Sequence, residues 1–444
     1  MSALEICINL FSYGVFMLGT LLIWPSRRNF IAWLAFPFFV VAYLIPLLAI
    51  DYGAIARADV LSKLTLINLL GAVSMVVGLF IGERIKIKFP WRPILQRVRS
   101  GIGPDDVVQR TFNVMFAACL LMTLCFLWMR MVPMFAEEPF VAKFFRGPYK
   151  EKYDQVSVFY RLSQAVMMTA LPLAMVLFIN LRIKKLFLPV VWAVLLFAVA
   201  LTRSLVGAGA VILIMAWASG TRLRFFVFLF TSTLIYCVGN IAYVILGISG
   251  PSDFNILEEI ASGASDILDH LVFLDAFDSS RDLTYGLTFV GGLIPGNFIY
   301  NPSVFTLAIA NGTNDVSELA SGGYRLPVSI AGFVAFSWAG AIIVPMLSGA
   351  IYGFFIAILK KIEIKNLSQH VAVIIWFQVW ASFWTDFYFF TYSKVISIGI
   401  FMYLVPNIYL LARLQLKKRK RTNTKSKNRL ESKQAVGQPI FDVK

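Results

Sequence analysis

"PVSIAGFVAFSWAGAIIVPMLSGAIYGFFIAIL", residues 327–359, runs for 33 positions without a charge. A bilayer core takes about 20 apolar residues per crossing helix. The stretch is therefore long for one crossing and short for two. One crossing keeps the basic "KKRKR" of the tail on the side of the other basic loops, whereas two would move it across. We assign one span, about 336–359, entered through an interfacial segment.

The rest of the chain reads the same way. Of its 444 residues, 59% are hydrophobic and 14% charged, against about 25% charged in a soluble domain. Mean hydropathy is +0.76. Further apolar runs lie at 6–24, 29–50, 64–82, 111–129, 160–180, 225–247, 367–389 and 393–412. Residues 186–219 are flanked by "RIKK" and "TRLR", so two short spans turning at Arg203 keep both clusters on one side. The sequence thus predicts an all-α polytopic membrane protein of about eleven transmembrane helices, N-terminus outside and C-terminus inside. This topology puts 28 of the 40 Lys and Arg residues inside. Residues 1–415 form one transmembrane domain. Residues 416–444 form a basic cytoplasmic tail, read as disordered and close to anionic lipid. The net charge of +16 therefore sets topology and does not point to nucleic acid.

Cys7, Cys119, Cys125 and Cys237 sit in apolar runs without metal or redox spacing, as small buried residues do. No HExxH, GxSxG, Walker or metal-ligand pattern occurs, and no cofactor is expected. "GAIYG", 349–353, is a GxxxG pair suited to helix packing.

Two outer segments are long, 130–159 and 248–335. The second begins with a helical pattern carrying Leu257, Ile260, Ile267, Leu268, Leu271 and Leu274 on one face, read as an amphipathic helix lying on the membrane. Beyond it, "DSSRDLTYGLTFVGGLIPG" places Arg281 and Asp282 before a glycine-rich apolar run with Tyr285 and Gly292. Guanidinium suits phosphate oxygens, and glycine allows close backbone approach. Arg281 serves either that chemistry or a solvated pair with Asp278 or Asp282. Arg325, after Tyr324 in "SGGYR", is either part of the same site or an interfacial anchor. Arg203, near membrane depth, is either a functional charge or a simple residue of the outer turn. Arg146 and Arg161 bring the outer arginines, with Arg130, to six. Asp386 is a partner for one of them or a plain interfacial carboxylate. His270 follows Asp266 by four residues, a pairing spacing, and is either a surface histidine or a general base.

"RDLTYGLTFVGGLIPG", "NPSVFTLAIANGTND" and "GGYRLPVSIAGFVAFSWAGAIIVPMLSGAIYGF" together resemble the bacterial O-antigen, or oligosaccharide repeat-unit, polymerase family. Arg281 precedes Gly292 with ten residues between, a spacing of that family. Arg325 precedes Gly340 with fourteen between, one short of another. A turn before a middle span is echoed in "TRSLVG" at Arg203. The resemblance implies a GT-C-like architecture in the bacterial inner membrane with its active site facing the periplasm. It implies a metal-independent glycosyltransferase that moves a growing glycan from undecaprenyl pyrophosphate onto a new lipid-linked repeat unit. Arg281, Arg203, Arg325, His270 and Asp282 then belong to catalysis, and Arg146, Arg161, Tyr285, Gly292, Tyr324 and Asp386 to substrate binding. The implied partners are the undecaprenyl-pyrophosphate-linked oligosaccharide, membrane lipid and a chain-length regulator. The alternatives are an O-antigen ligase and a non-enzymatic flippase or transporter. His270 is followed by Leu271 and lacks the Asn, Ser or Gln neighbour of the ligases.

Overall fold

The computed structural model describes residues 1–85, 104–143, 145, 147–201, 214–215, 217–245, 261, 265–278, 283–294, 298–313, 315–316, 323–364, 380–381, 383–400 and 402–404. Its ordered elements are helices, and among the described residues no strand forms beyond one bridge, Gly292 to Thr391. Among the described residues, five helices are long and apolar enough to cross a membrane: Phe30–Ala49, Ala58–Arg84, Val108–Phe135, Ser157–Ile179 and Val328–Lys361. Each coincides with an apolar run of the sequence. Arg203, most of 367–389 and the tail 416–444 lie outside the described residues.

The first helix, α1 (Ala3–Leu18), opens with a capping box between Ser2 and Glu5 and continues past Gly19 as Thr20–Ile23. Helix α2 (Phe30–Phe39) passes through a π-helical turn, Val40–Leu44, into Ile45–Ala49. Pro46 has no N–H for the Ala42 carbonyl, and the Ile45 N–H bonds back to Val40 instead. The widened turn carries Tyr43, which stacks on Tyr13 of α1 with centroids 4.3 Å apart. Helix α3 (Ala58–Arg84) runs parallel to α1. A second bundle is formed by α4 (Pro104–Met129), α5 (Ser157–Leu181) and α6 (Phe187–Val199), around Met115, Met122, Met167 and Phe197. Cys119 and Cys125 are buried in that core, whereas Cys7 is exposed. Helix α7 (Arg222–Ile245) packs on the start of α2.

Three later helices complete the first bundle: α8 (Asp266–Asp278), α9 (Pro302–Asn311) and α10 (Val328–Ile364). The described part of the expected surface helix is α8, and it does not lie flat. Ile267, Leu271, Phe273, Leu274 and Phe277 are all buried, in one core with α1, α3, α9 and α10. Its apolar residues cover more than one face, wider than a membrane surface can bury. Arg57, just before α3, pairs with Asp275 at 2.8 Å and ties α8 to the start of α3.

The decisive stretch is not one helix. Phe336 and Ser337 leave the helical region (φ −140° and +55°), and the chain reverses there. Residues 328–335 climb antiparallel to α3, with Ser329 beside Asn68 and Phe333 beneath the Lys63 ammonium. Residues 338–364 then descend parallel to α3. The interfacial segment expected before the span is thus a short helix folded back on it, with Gly332 against Gly340.

Parallel packing of α3 and α10 depends on glycine. Gly78 and Gly82 face the backbone of Met346 and Ala350, and Gly349 and Gly353 face that of Met75 and Leu79. A Cβ at any of the four would overlap a carbonyl oxygen of the other helix. "GLFIG" (78–82) and "GAIYG" (349–353) are therefore two small-xxx-small faces in contact. In lipid, where no hydrophobic drive separates helix from solvent, this dispersion contact holds the pair. At the far end Lys360 pairs with Glu83.

Replacing Gly353 with Val should overpack this seam and destabilise the protein by about 1–3 kcal/mol. Gly399→Ala, at a position where a Cβ meets nothing, should be neutral. Thermal unfolding in detergent measures both, and equal melting temperatures would exclude the glycine seam as a structural determinant.

Candidate functional site

Where α8 begins, titratable side chains from four segments converge. Asp266 and Asp269 stand three apart on its first turn, with His270 beside them. The Tyr43 hydroxyl donates to Asp266 Oδ2 at 3.1 Å, and Tyr52 meets Ser265 at 3.4 Å. The counter-charge is Arg325, whose guanidinium acts on both carboxylates and lies 6.0 Å from the Phe38 ring centre.

The backbone of 323–325 is fixed at each residue. Gly323 has φ +99° and passes so close to Ser303 that a side chain would strike its backbone. The Tyr324 N–H donates to Thr306 Oγ1 at 3.1 Å. The Arg325 carbonyl accepts from His270 Nε2 at 2.8 Å. A carbonyl can only accept, so that nitrogen carries the proton, and Nδ1 accepts from the Tyr13 hydroxyl at 2.8 Å. Tyr13 stacks on the imidazole as well.

His270 is thus a strut. It is 0% exposed, both ring nitrogens are used, and burial pushes its pKa down to about 4. A neutral imidazole closed to solvent and already hydrogen-bonded does not serve as a general base. The expected pairing with Asp266 is not made, because that carboxylate turns to Tyr43 and the histidine to Tyr13.

Asp269 has the opposite character. Burial is the main cause, with Asp266 second, of a pKa raised to about 6, while Arg325 works against the rise. Asp266 is also raised, by burial first, with Arg325 and the Tyr43 hydrogen bond opposing. Tyr324 is raised by burial and by the charge of Asp269. The two carboxyls therefore hold their protons more tightly than free carboxyls do, beside the Arg325 guanidinium.

Behind it, a polar chain runs into the bundle. Ser329 Oγ donates to Asn68 Oδ1 (2.9 Å), Asn68 Nδ2 to Asn9 Oδ1 (3.0 Å), and Asn9 Nδ2 to Thr65 Oγ1 (2.8 Å). All four are buried. They satisfy one another and lock α1, α3 and residues 328–335 together.

The other residues singled out from the sequence form a second group. Gly291 is pressed on the backbone of Tyr300, and Gly292 on Phe390 and Thr391. Phe390 N–H donates to the Phe289 carbonyl (2.8 Å), and Tyr392 N–H to that of Gly292 (2.9 Å). The space expected to admit substrate at Gly292 is filled by the chain's own backbone. Tyr285, in the left-handed region (φ +49°), points outward and is 72% exposed. Arg161 Nε donates to the Tyr153 hydroxyl at 2.7 Å, with Tyr392 nearby. Asp386 has Lys394 rather than an arginine as its charged neighbour, and Lys394 Nζ donates to its backbone carbonyl at 2.8 Å. Arg281, Asp282, Arg203 and Arg146 lie outside the described residues.

The sequence reading overlooked Asp269, Tyr43 and Tyr13. "SDILDHL" carried a usable sign, two carboxylates three apart next to a histidine. The tyrosines carried none, because each lies in an apolar run. Among the described residues no group of three or more His, Cys, Asp or Glu is placed to hold a metal ion.

These features define the class, an all-α protein with several membrane-length apolar helices and a polar site at one end of a bundle. The chain matches no family model, no curated protein and no solved structure.

A carboxyl whose folded pKa is raised contributes stability fully present below its unfolded value, 3.8, and lost as pH rises through about 6. Asp269→Asn should therefore gain on the wild type as pH goes from about 4 to about 7. Melting temperatures of the two proteins across that range test this, and a constant difference would refute it.

Proposed function

We propose that this protein is a polymerase of lipid-linked oligosaccharide repeat units, working at the periplasmic face of the bacterial inner membrane. The proposal keeps the topology of about eleven spans, N-terminus out. It rests on the resemblance of residues 278–353 to that family. Asp269 beside Arg325 is the structural observation that supports it.

In this reaction the anomeric carbon of the growing glycan leaves undecaprenyl pyrophosphate and bonds to a hydroxyl oxygen of the new repeat unit. The hydroxyl proton needs an acceptor, and the pyrophosphate gains charge as its bond breaks. Asp269 titrates near 6, so at neutral pH it is ionised yet more basic than an ordinary carboxylate. It takes the proton. Arg325, joined in the proposal by Arg281 and Arg203, offsets the charge on the leaving group. His270 holds the Arg325 backbone and takes no proton. Arg161, Tyr285 and Tyr324 remain substrate-binding candidates, as does Arg146.

A transporter reading draws on a different feature, the break in α10 at Phe336 and Ser337. Discontinuous helices mark many transport sites. A deletion strain distinguishes the readings. Lipid A core bearing a single repeat unit means a lost polymerase. Accumulated lipid-linked polymer over bare core means a lost ligase. Absence of any repeat at the outer face means a lost flippase.

Within the polymerase reading, Asp269→Asn should reduce polymerisation by about 10²–10⁴-fold, the usual contribution of a general base. Arg325→Ala should also abolish long chains, and Arg325→Lys should rescue poorly, because the planar fork is lost. Glycan ladders at matched protein levels in the membrane provide the measurement. Normal ladders from both Asp269→Asn and Arg325→Ala would refute the assignment.

A further inference from the structure

The ends of α3 and α10 away from Asp269 carry a second, separate feature. A cavity of about 740 Å³ opens between the turn after α1, the start of α2, the start of α7 and the end of α10. Trp24, Trp33, Phe225 and Phe226 form its walls, and Arg27, Arg222 and Lys360 supply its charge. Among the described residues, no acidic residue lines it. Glu83 pairs with Lys360 from outside the lining, and among the described residues the two arginines have no carboxylate partner there.

The turn bearing Arg27 is rigid. Asn29 Nδ2 donates to the Trp24 carbonyl (3.1 Å) and to Thr20 Oγ1 (3.0 Å). Trp33 Nε1 donates to the Ser26 carbonyl (3.0 Å), and its ring meets Phe225 edge-on at 5.1 Å. On this fixed turn, Arg27 Nη1 is buried and has no hydrogen-bond partner. Among the described residues it is the one buried side-chain nitrogen or oxygen in that condition. An unsatisfied buried donor costs about 1–3 kcal/mol, and more when charged. An anion in the cavity would remove that cost.

We propose that this cavity binds the phosphodiester of an anionic phospholipid. A free phosphate offers the same oxygens to Arg27 and Arg222, but the surroundings favour lipid. Phe226 lines the cavity and is largely exposed, as is Leu223 beside it, so the mouth continues into the outward-facing apolar surface of α7. Tryptophans gather at this level, as they do at membrane interfaces. Basic pockets between spanning helices suit acidic headgroups. The headgroup sits between the two guanidinium groups, and an acyl chain runs along Phe226 and Leu223.

The full-length protein in nanodiscs tests the site. Discs containing phosphatidylglycerol should raise the melting temperature above that in phosphatidylcholine alone. Native mass spectrometry should retain several-fold more phosphatidylglycerol than phosphatidylcholine. Arg27→Gln and Arg222→Gln should each remove most of that preference, and Arg27→Lys should keep part of it. If Arg27→Gln does not fold, the exposed Arg222→Gln still decides. Equal retention of the two lipids, or a preference untouched by Arg222→Gln, overturns the proposal. Stabilisation by inorganic phosphate in phosphatidylcholine discs would also overturn it, by making the ligand a soluble anion.

Discussion

The contact between α3 and α10 sets the geometry of everything around it. Four glycines let two parallel helices meet backbone to backbone, closer than any side chain permits. That closeness fixes the height of Phe336 and Ser337, where the chain reverses. The reversal in turn returns residues 328–335 along α3 and carries Ser329 to Asn68. Arg325 lies just before this returning helix, so its position beside α8 follows from the same seam.

Burial of polar groups is the second constraint, and it explains the division of labour at the site. A buried imidazole must be neutral and doubly satisfied, which commits His270 to Tyr13 and the Arg325 carbonyl. Asp269, at the edge of the same cluster, gains proton affinity from partial burial and from the neighbouring Asp266, and the Arg325 guanidinium only moderates the rise. Position along one helical turn thus leaves His270 neutral and doubly hydrogen-bonded and Asp269 with a raised proton affinity, although the histidine is the residue type more often linked with proton transfer.

The two ends of the bundle differ in chemistry. One end combines carboxylates, tyrosines and an arginine whose backbone carbonyl is held by His270. The other combines arginines with tryptophan and phenylalanine around a cavity. Parallel helices joined by a close backbone contact hold these ends at a set separation, so neither depends on a flexible connection to the other.

Much of this was legible beforehand. Long charge-free runs fixed the helical class and the position of the five longest described spans, because only a helix satisfies its own backbone in lipid. "GAIYG" announced a packing face. Its partner "GLFIG" had the same form and became meaningful only when the two helices met. Arg325 was visible as an isolated charge. Its relation to Asp266 and Asp269 was not, since 55 residues separate it from His270, which links it to α8. Tyr13 and Tyr43 were hidden in apolar runs, because hydropathy does not reveal which hydroxyl will find a buried partner. By itself the sequence determined which segments must be helical and where charge could stay. Tertiary structure alone decided which carboxylate gains proton affinity, because that depends on desolvation and on neighbours brought from distant parts of the chain.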